Sequence, residues 1–189
     1  ADMGSSVKDV AVRAAEELAQ EGWLADGSLQ GARLYHANLE GAILFNANLR
    51  GARLTWANLQ KTRLGGTNLE GADLKMANLQ GADLSRVSLR GADLSCSGAN
   101  LEGANLYEAD LQDADLGFAN LQRANLSKAN LQGANLSTAN LRDARLGKAN
   151  LQGAILYEKQ RKRMTLPDGT EWTSDTDMAR FTDSVPSIN

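Results

Sequence analysis

The chain has 189 residues, 42% hydrophobic and 23% charged, with a formal net charge of −3. Ala and Leu dominate the apolar share, and no run of 18 apolar residues is present, so insertion of this chain into a membrane as a helix is excluded. One Cys and one His exclude an internal disulfide and leave His/Cys metal clusters and Cys–His catalysis without enough parts.

Ser6 to about Glu21 reads as an amphipathic helix. Ser6-x-x-Asp9 resembles a capping box, Val7, Val10, Ala11, Ala14 and Leu18 recur at helical spacing, and Gly22 is a stop just past the end. Residues 1–26 are read as a tail and a capping helix that covers the open end of the repeats filling the middle of the chain, with Trp23 and Leu24 packed beneath it. A partner-binding helix is the alternative.

From residue 27 to residue 158 the chain is a five-residue repeat, Ala-Asn/Asp-Leu-x-x, cleanest at Ala119-Asn120-Leu121-Gln122-Arg123-Ala124-Asn125-Leu126. Leu stands at every fifth position from Leu29 to Leu94 and again from Leu101 to Leu156. Two places before each Leu sits a small residue, Ala except at Gly27, Thr62, Thr67 and Val87. A repeat of this strength outranks every other signal. On an α-helix five residues advance about 500°, so the leucines never form a stripe. On a strand an odd period sends alternate leucines to opposite faces. The leucines share one interior only if the chain bends once per repeat, and four bends close a square coil of about 20 residues whose stacked backbones pair.

This repeat resembles that of the pentapeptide repeat proteins. The resemblance covers Gly27 to Glu158. It implies an all-β solenoid, a right-handed quadrilateral β-helix, with the central Leu and the Ala two places before it pointing inward. It also implies a bacterial source. Twenty-six repeats at four to a coil give about 6.5 coils, stacked at roughly 4.8 Å. The expected core includes the column Leu54, Leu74, Leu94, Leu116 and Leu136.

Sorting the outward residues by side of the square gives three columns. Asn38, Asn58, Asn78, Asn100, Asn120 and Asn140 form an Asn ladder able to hydrogen-bond along the stack. Gly31, Gly51, Gly71, Gly91, Gly133 and Gly153 suit bends with positive φ. Asp113 interrupts that column, which implies that not every coil needs glycine there. His36, Trp56, Met76, Cys96, Phe118 and Thr138 line a third bend, near Tyr35, Tyr157, Asp73, Asp93 and Asp115. An exposed apolar stripe marks an interaction site, so Trp56, Met76, Phe118, Tyr35 and Tyr157 are the candidate contact residues. Large side chains shielding the backbone at one corner are the plainer alternative.

Ser95-Cys96-Ser97-Gly98 holds two extra residues, expected to bulge without breaking the stack. Cys96 has no His nearby in sequence to activate it. Residues 159–189 are read as a C-terminal cap and tail. A charged exit runs from Glu158 to Arg163, Pro167-Asp168-Gly169 makes a turn, and Thr173 to Phe181 form a short helix. Leu166, Trp172, Met178 and Phe181 close the end as a hairpin and short-helix lid.

No catalytic residue, cofactor site or metal site is found. The chain therefore reads as a non-catalytic structural and protein-interaction module, cytoplasmic by its lone Cys, with an unidentified protein partner or a second copy as occupant. The resemblance implies a second reading, because some pentapeptide repeat proteins mimic duplex DNA and bind DNA gyrase. That needs a strongly acidic surface. Between Ser28 and Tyr157 there are 13 Lys plus Arg against 11 Asp plus Glu, so the body is near neutral. Acid gathers only at Glu102, Glu108, Asp110, Asp113 and Asp115. Basic residues are scattered among acids, which argues against nucleic-acid binding.

Overall fold

A computed structural model describes residues 24–95 and 98–156. Among them the regular backbone pairing consists of isolated parallel bridges, not extended strands. Two of every five residues are used by a turn, so each side of the coil is too short for a strand. The bridges join residues 20 apart, which is four repeats, and they fall into four columns. Side 1 runs through Arg33, Arg53, Asp73, Asp93, Asp115, Asn135 and Ile155. Side 2 runs from Asn38 to Asn140, side 3 from Ile43 to Arg145, and side 4 from Asn48 to Asn150. The turn after each side takes the same number.

Every bridge residue is the Asn/Asp position of a repeat, flanked by an inward Leu and by an inward Ala or, before Arg63, Asn68 and Ser88, by Thr62, Thr67 and Val87. All repeat leucines from Leu39 to Leu156 are buried, including Leu54, Leu74, Leu94, Leu116 and Leu136. Thr62 and Thr67 replace Ala and are fully buried. Their hydroxyls donate to the carbonyls of Leu39 (2.9 Å) and Leu44 (2.7 Å) one coil away, so neither polar atom is orphaned in the core.

One repeat shows how the backbone is satisfied. Ala119 N–H donates to Leu116 across the turn (3.0 Å), and Asn120 N–H to Ala99 of the preceding coil (3.0 Å). Leu121 N–H donates to Asn140 and Arg123 N–H to Arg142 of the following coil, both at 2.9 Å. Gln122 N–H is left over, and the Asn120 side-chain oxygen accepts it at 3.2 Å. All five donors of the repeat are thus paired, which a solenoid with no helix or long strand must achieve. The Asn/Asp preference has its cause here: only a short side chain with an oxygen at that place reaches the N–H two residues on.

The third residue of each described four-residue turn that follows a repeat leucine has positive φ, as type II turns require. Glycine holds many of these places, but 14 non-glycine residues also adopt it, from His36 (φ 56°) to Lys148 (φ 60°). The interruption at Asp113 therefore does not relax the turn. Asp113 takes φ 57°, because the inter-coil bonds on both sides of the corner fix the backbone whatever the side chain.

The two extra residues lie within turn 1. Ala99 N–H closes the longer loop on Leu94 O at 3.1 Å. The bridges shift from 20 to 22 residues across the loop, as in Asp93↔Asp115, and then return to 20. Gly98 is required there: with φ +75°, an added Cβ would stand 2.1 Å from the Phe118 carbonyl oxygen. The expected terminal helix, hairpin and lid, together with Tyr157 and Cys96, lie outside the described residues.

Candidate protein-contact surface

Turn 1 carries residue pairs Tyr35-His36, Thr55-Trp56, Lys75-Met76, Gly117-Phe118 and Ser137-Thr138. The structure keeps Trp56, Met76 and Phe118 on this one corner, at the positive-φ place. Trp56 is 54% exposed, Phe118 64% and Tyr35 45%, while Met76 is half-buried. The His36 and Trp56 rings stack with centroids 6.1 Å apart and planes at 16°. Trp56 and Phe118 are not adjacent, because the Met76 coil and the loop coil separate them. Ile155, 50% exposed, continues the apolar character along side 1.

Turn 1 adjoins the charges of side 1. Lys75 sits between Asp93 (2.6 Å) and Asp73 (3.5 Å). The hydrogen bond that Lys75 donates to Asp93 raises the Lys75 pKa over the opposing effect of its partial desolvation. Burial alone would push Asp93 up, but the Lys75 and Ser95 hydrogen bonds outweigh it and leave that carboxyl lowered. Arg53 donates to the Tyr35 hydroxyl at 3.2 Å.

The Asn ladder is present as bonded rungs. Asn58 donates to Asn38 (3.1 Å), Asn100 to Asn78 (3.3 Å), Asn120 to Asn100 (3.1 Å) and Asn140 to Asn120 (3.0 Å). Similar rungs occur on the other sides, among them Asn125 to Asn105 and Asn135 to Asp115. The amide oxygens also accept the turn N–H bonds, so the ladder is part of the scaffold on all four sides.

The five acids that looked like a patch are not a uniform acidic face. Glu102 pairs with Arg123 (3.6 Å) and Asp110 with Arg90 (3.3 Å). Glu108 lies between Arg86 (3.0 Å) and Lys128 (3.1 Å). Arg86, then Lys128, then Tyr107, hydrogen-bond Glu108 and hold its carboxyl down at about 2. Lys128 also donates to the Tyr107 hydroxyl, and this bond first, then Glu108, raises the Lys128 pKa. Asp113 and Asp115 form no ion pair among the described residues. Each pair joins neighbouring coils. The same-column spacing of 22 residues across the loop and 20 beyond it would have exposed the Glu108 partners Arg86 and Lys128 in the sequence, whereas Glu102–Arg123 and Arg90–Asp110 join different columns. Arg63 over the Phe45 ring, at 4.6 Å, is a further cross-coil contact of the same kind.

Among the described residues no group of three or more His, Cys, Asp or Glu is placed to hold a metal ion. Among them, too, no helix is long and apolar enough to cross a membrane.

The family model for pentapeptide repeats (8 copies) matches this chain over residues 28–66, 52–91, 92–117 and 119–156. The chain belongs to the pentapeptide repeat family. Its square coil is that family's right-handed quadrilateral β-helix. Among solved structures it is similar to HetL, a pentapeptide repeat protein involved in heterocyst differentiation regulation in the cyanobacterium Nostoc sp. strain PCC 7120. The identity is 40%, over 76% of this chain and 73% of HetL, with a TM-score of 0.50. Rfr23 from the cyanobacterium Cyanothece 51142 matches at 26% identity, over 75% of this chain and 96% of that one, with a TM-score of 0.38. A trypsin-treated form of QnrB1, a plasmid-mediated fluoroquinolone resistance protein, matches at 19%, over 82% and 84%, with a TM-score of 0.43. A comparison with curated proteins gave no match. Members of this family are generally structural modules without catalysis.

Proposed function

We propose that this pentapeptide repeat protein is a non-catalytic interaction module that presents turn 1 of a rigid solenoid to a protein partner. In this reading the solenoid has about 6.5 coils, capped by the N-terminal helix and the C-terminal hairpin and short helix. One observation carries the proposal. Of the large apolar side chains that stand exposed among the described residues, Tyr35, Trp56, Phe118 and Ile155 lie on side 1 or turn 1, and only Ile43 lies elsewhere. Trp56 and Phe118 also occupy positive-φ places, where an L-residue costs roughly 1–2 kcal/mol that glycine avoids. The involvement of HetL in regulating a differentiation process supports a regulatory use of such contacts.

The test is the double variant Trp56→Ala/Phe118→Ala. Far-UV circular dichroism and melting should match wild type, while light scattering or retention of a partner on immobilised protein should show weakened association. Unchanged association with folding preserved overturns the assignment. The DNA-mimic alternative draws no support from the acids, since Glu102, Glu108 and Asp110 each face a base on a neighbouring coil. Gyrase supercoiling should be unaffected by the protein.

A further inference from the structure

The charges along side 1 are ordered. Arg33 and Arg53 stand on its first two bridge positions, followed by Asp73, Asp93 and Asp115. Both arginines are exposed and form no ion pair among the described residues. Arg53 reaches only the Tyr35 hydroxyl. Lys75 offsets one of the two carboxylates it touches. Asp115 accepts hydrogen bonds from Gly117 N–H and Asn135, and is not neutralised. Over its first five coils side 1 therefore runs from basic to acidic, continues without charge through Asn135 and Ile155, and is apolar along the corner it shares with turn 1. Side 2, beyond that corner, presents neutral asparagines from Asn38 to Asn140.

We propose that side 1 and turn 1 pair with the same surface of a second copy of this chain, running antiparallel about a two-fold axis at the Asp73–Lys75–Met76 coil. The proposal rests on turn 1 being the contact surface and names its occupant. In this register Arg33 faces the partner's Asp115 and Arg53 faces the partner's Asp93; at the axis each residue of the Asp73–Lys75 coil lies opposite its own copy, and Lys75 reaches the partner's Asp73 diagonally. The symmetry repeats each pair, as an isologous interface requires. Met76 meets its own copy at the axis, where a flexible thioether adapts to itself, and His36 lies opposite the partner's Phe118. A parallel arrangement would place Arg33 on Arg33 and Asp115 on Asp115, so like charges exclude it.

The five coils span about 19 Å along the stack at roughly 4.8 Å each. A strip of that length and one coil side wide falls below the roughly 800 Å² per partner of a standard interface. The dimer is accordingly weak, concentration-dependent and sensitive to salt.

Sedimentation equilibrium of the full chain tests this, from about 10 μM to about 1 mM protein, at roughly 0.05 M and 0.5 M salt. Wild type should dimerise at low salt and dissociate at high salt. The variant Arg33→Asp/Arg53→Asp should be monomeric alone, as should Asp93→Lys/Asp115→Lys. An equimolar mixture of the two should dimerise, because positions 33 and 53 then again face positions 115 and 93 with opposite sign. If Asp93→Lys unfolds the adjacent loop by circular dichroism, Arg33→Asp mixed with Asp115→Lys gives the same test. A wild type monomeric throughout overturns the pairing, as does a mixture no more associated than its components. If Trp56→Ala/Phe118→Ala abolishes self-association and the charge variants do not, the contact surface stands and the charge-ordered register is wrong.

Discussion

Replacing Asn120 with Ala isolates what the Asn/Asp position contributes. Three bonds meet at that side chain. Its oxygen accepts Gln122 N–H (3.2 Å) and the Asn140 amide (3.0 Å), and its own amide donates to Asn100 (3.1 Å). A protein hydrogen bond contributes about 1 kcal/mol net, which sets an upper figure of about 3 kcal/mol. Asn120 is only half-buried, so water reaches the abandoned partners and recovers part of that. The expected loss is about 1–2 kcal/mol. Arg53→Ala is the control, because Arg53 occupies the same place in its repeat but offers no oxygen to a turn N–H. Its loss should stay within about 0.5 kcal/mol, as for other surface positions. Guanidinium unfolding at equilibrium reads both as midpoint shifts at constant slope. An Asn120→Ala shift no larger than that of Arg53→Ala would refute the reasoning, and the repeat's preference would then need an explanation outside stability.

Gly98→Ala should prevent the loop coil from stacking, since its Cβ would meet the Phe118 carbonyl oxygen at 2.1 Å. Low soluble yield or a large drop in melting temperature is the readout, and a wild-type melt contradicts it. Thr138→Gly works in the opposite direction. Thr138 is β-branched and exposed at φ 59°, and relieving about 1–2 kcal/mol of left-handed strain against glycine's entropy of roughly 0.5–1 kcal/mol leaves a gain of about 0.5–1 kcal/mol, visible as a higher unfolding midpoint. The Glu108 carboxyl, held at about 2 in the folded chain, has an ordinary value of 4.5. Its stabilisation is therefore present above about pH 4.5 and lost as pH falls toward 2. Wild type should melt above Glu108→Gln at neutral pH, with the gap closing over that acid range; a pH-independent gap would contradict the ion-pair account.

The square coil was legible in the residues alone, because a five-residue Leu period buries its leucines only by bending once per repeat. Bridges at 20-residue spacing and buried leucines on all four sides are direct consequences of that bend. The grouping of His36, Trp56, Met76 and Phe118 at one turn was likewise a matter of counting by 20 and then by 22. Other features depended on neighbours that only stacking supplies. Asn120 reads as a ladder rung in sequence, yet its oxygen also closes a backbone account that no residue pattern displays. Asp113 reads as a break in a glycine column, yet it takes the glycine conformation. Coil-to-coil hydrogen bonds set each corner and override the local preference of the residue there. The acids near Glu108 read as a patch, yet each paired one meets a base from an adjacent coil. The sequence by itself determined the coil, its four sides and what faces inward, because periodic burial is a one-dimensional constraint. The tertiary structure decided turn geometry, charge pairing and which apolar side chains stay in water, because those depend on how one coil sits against the next.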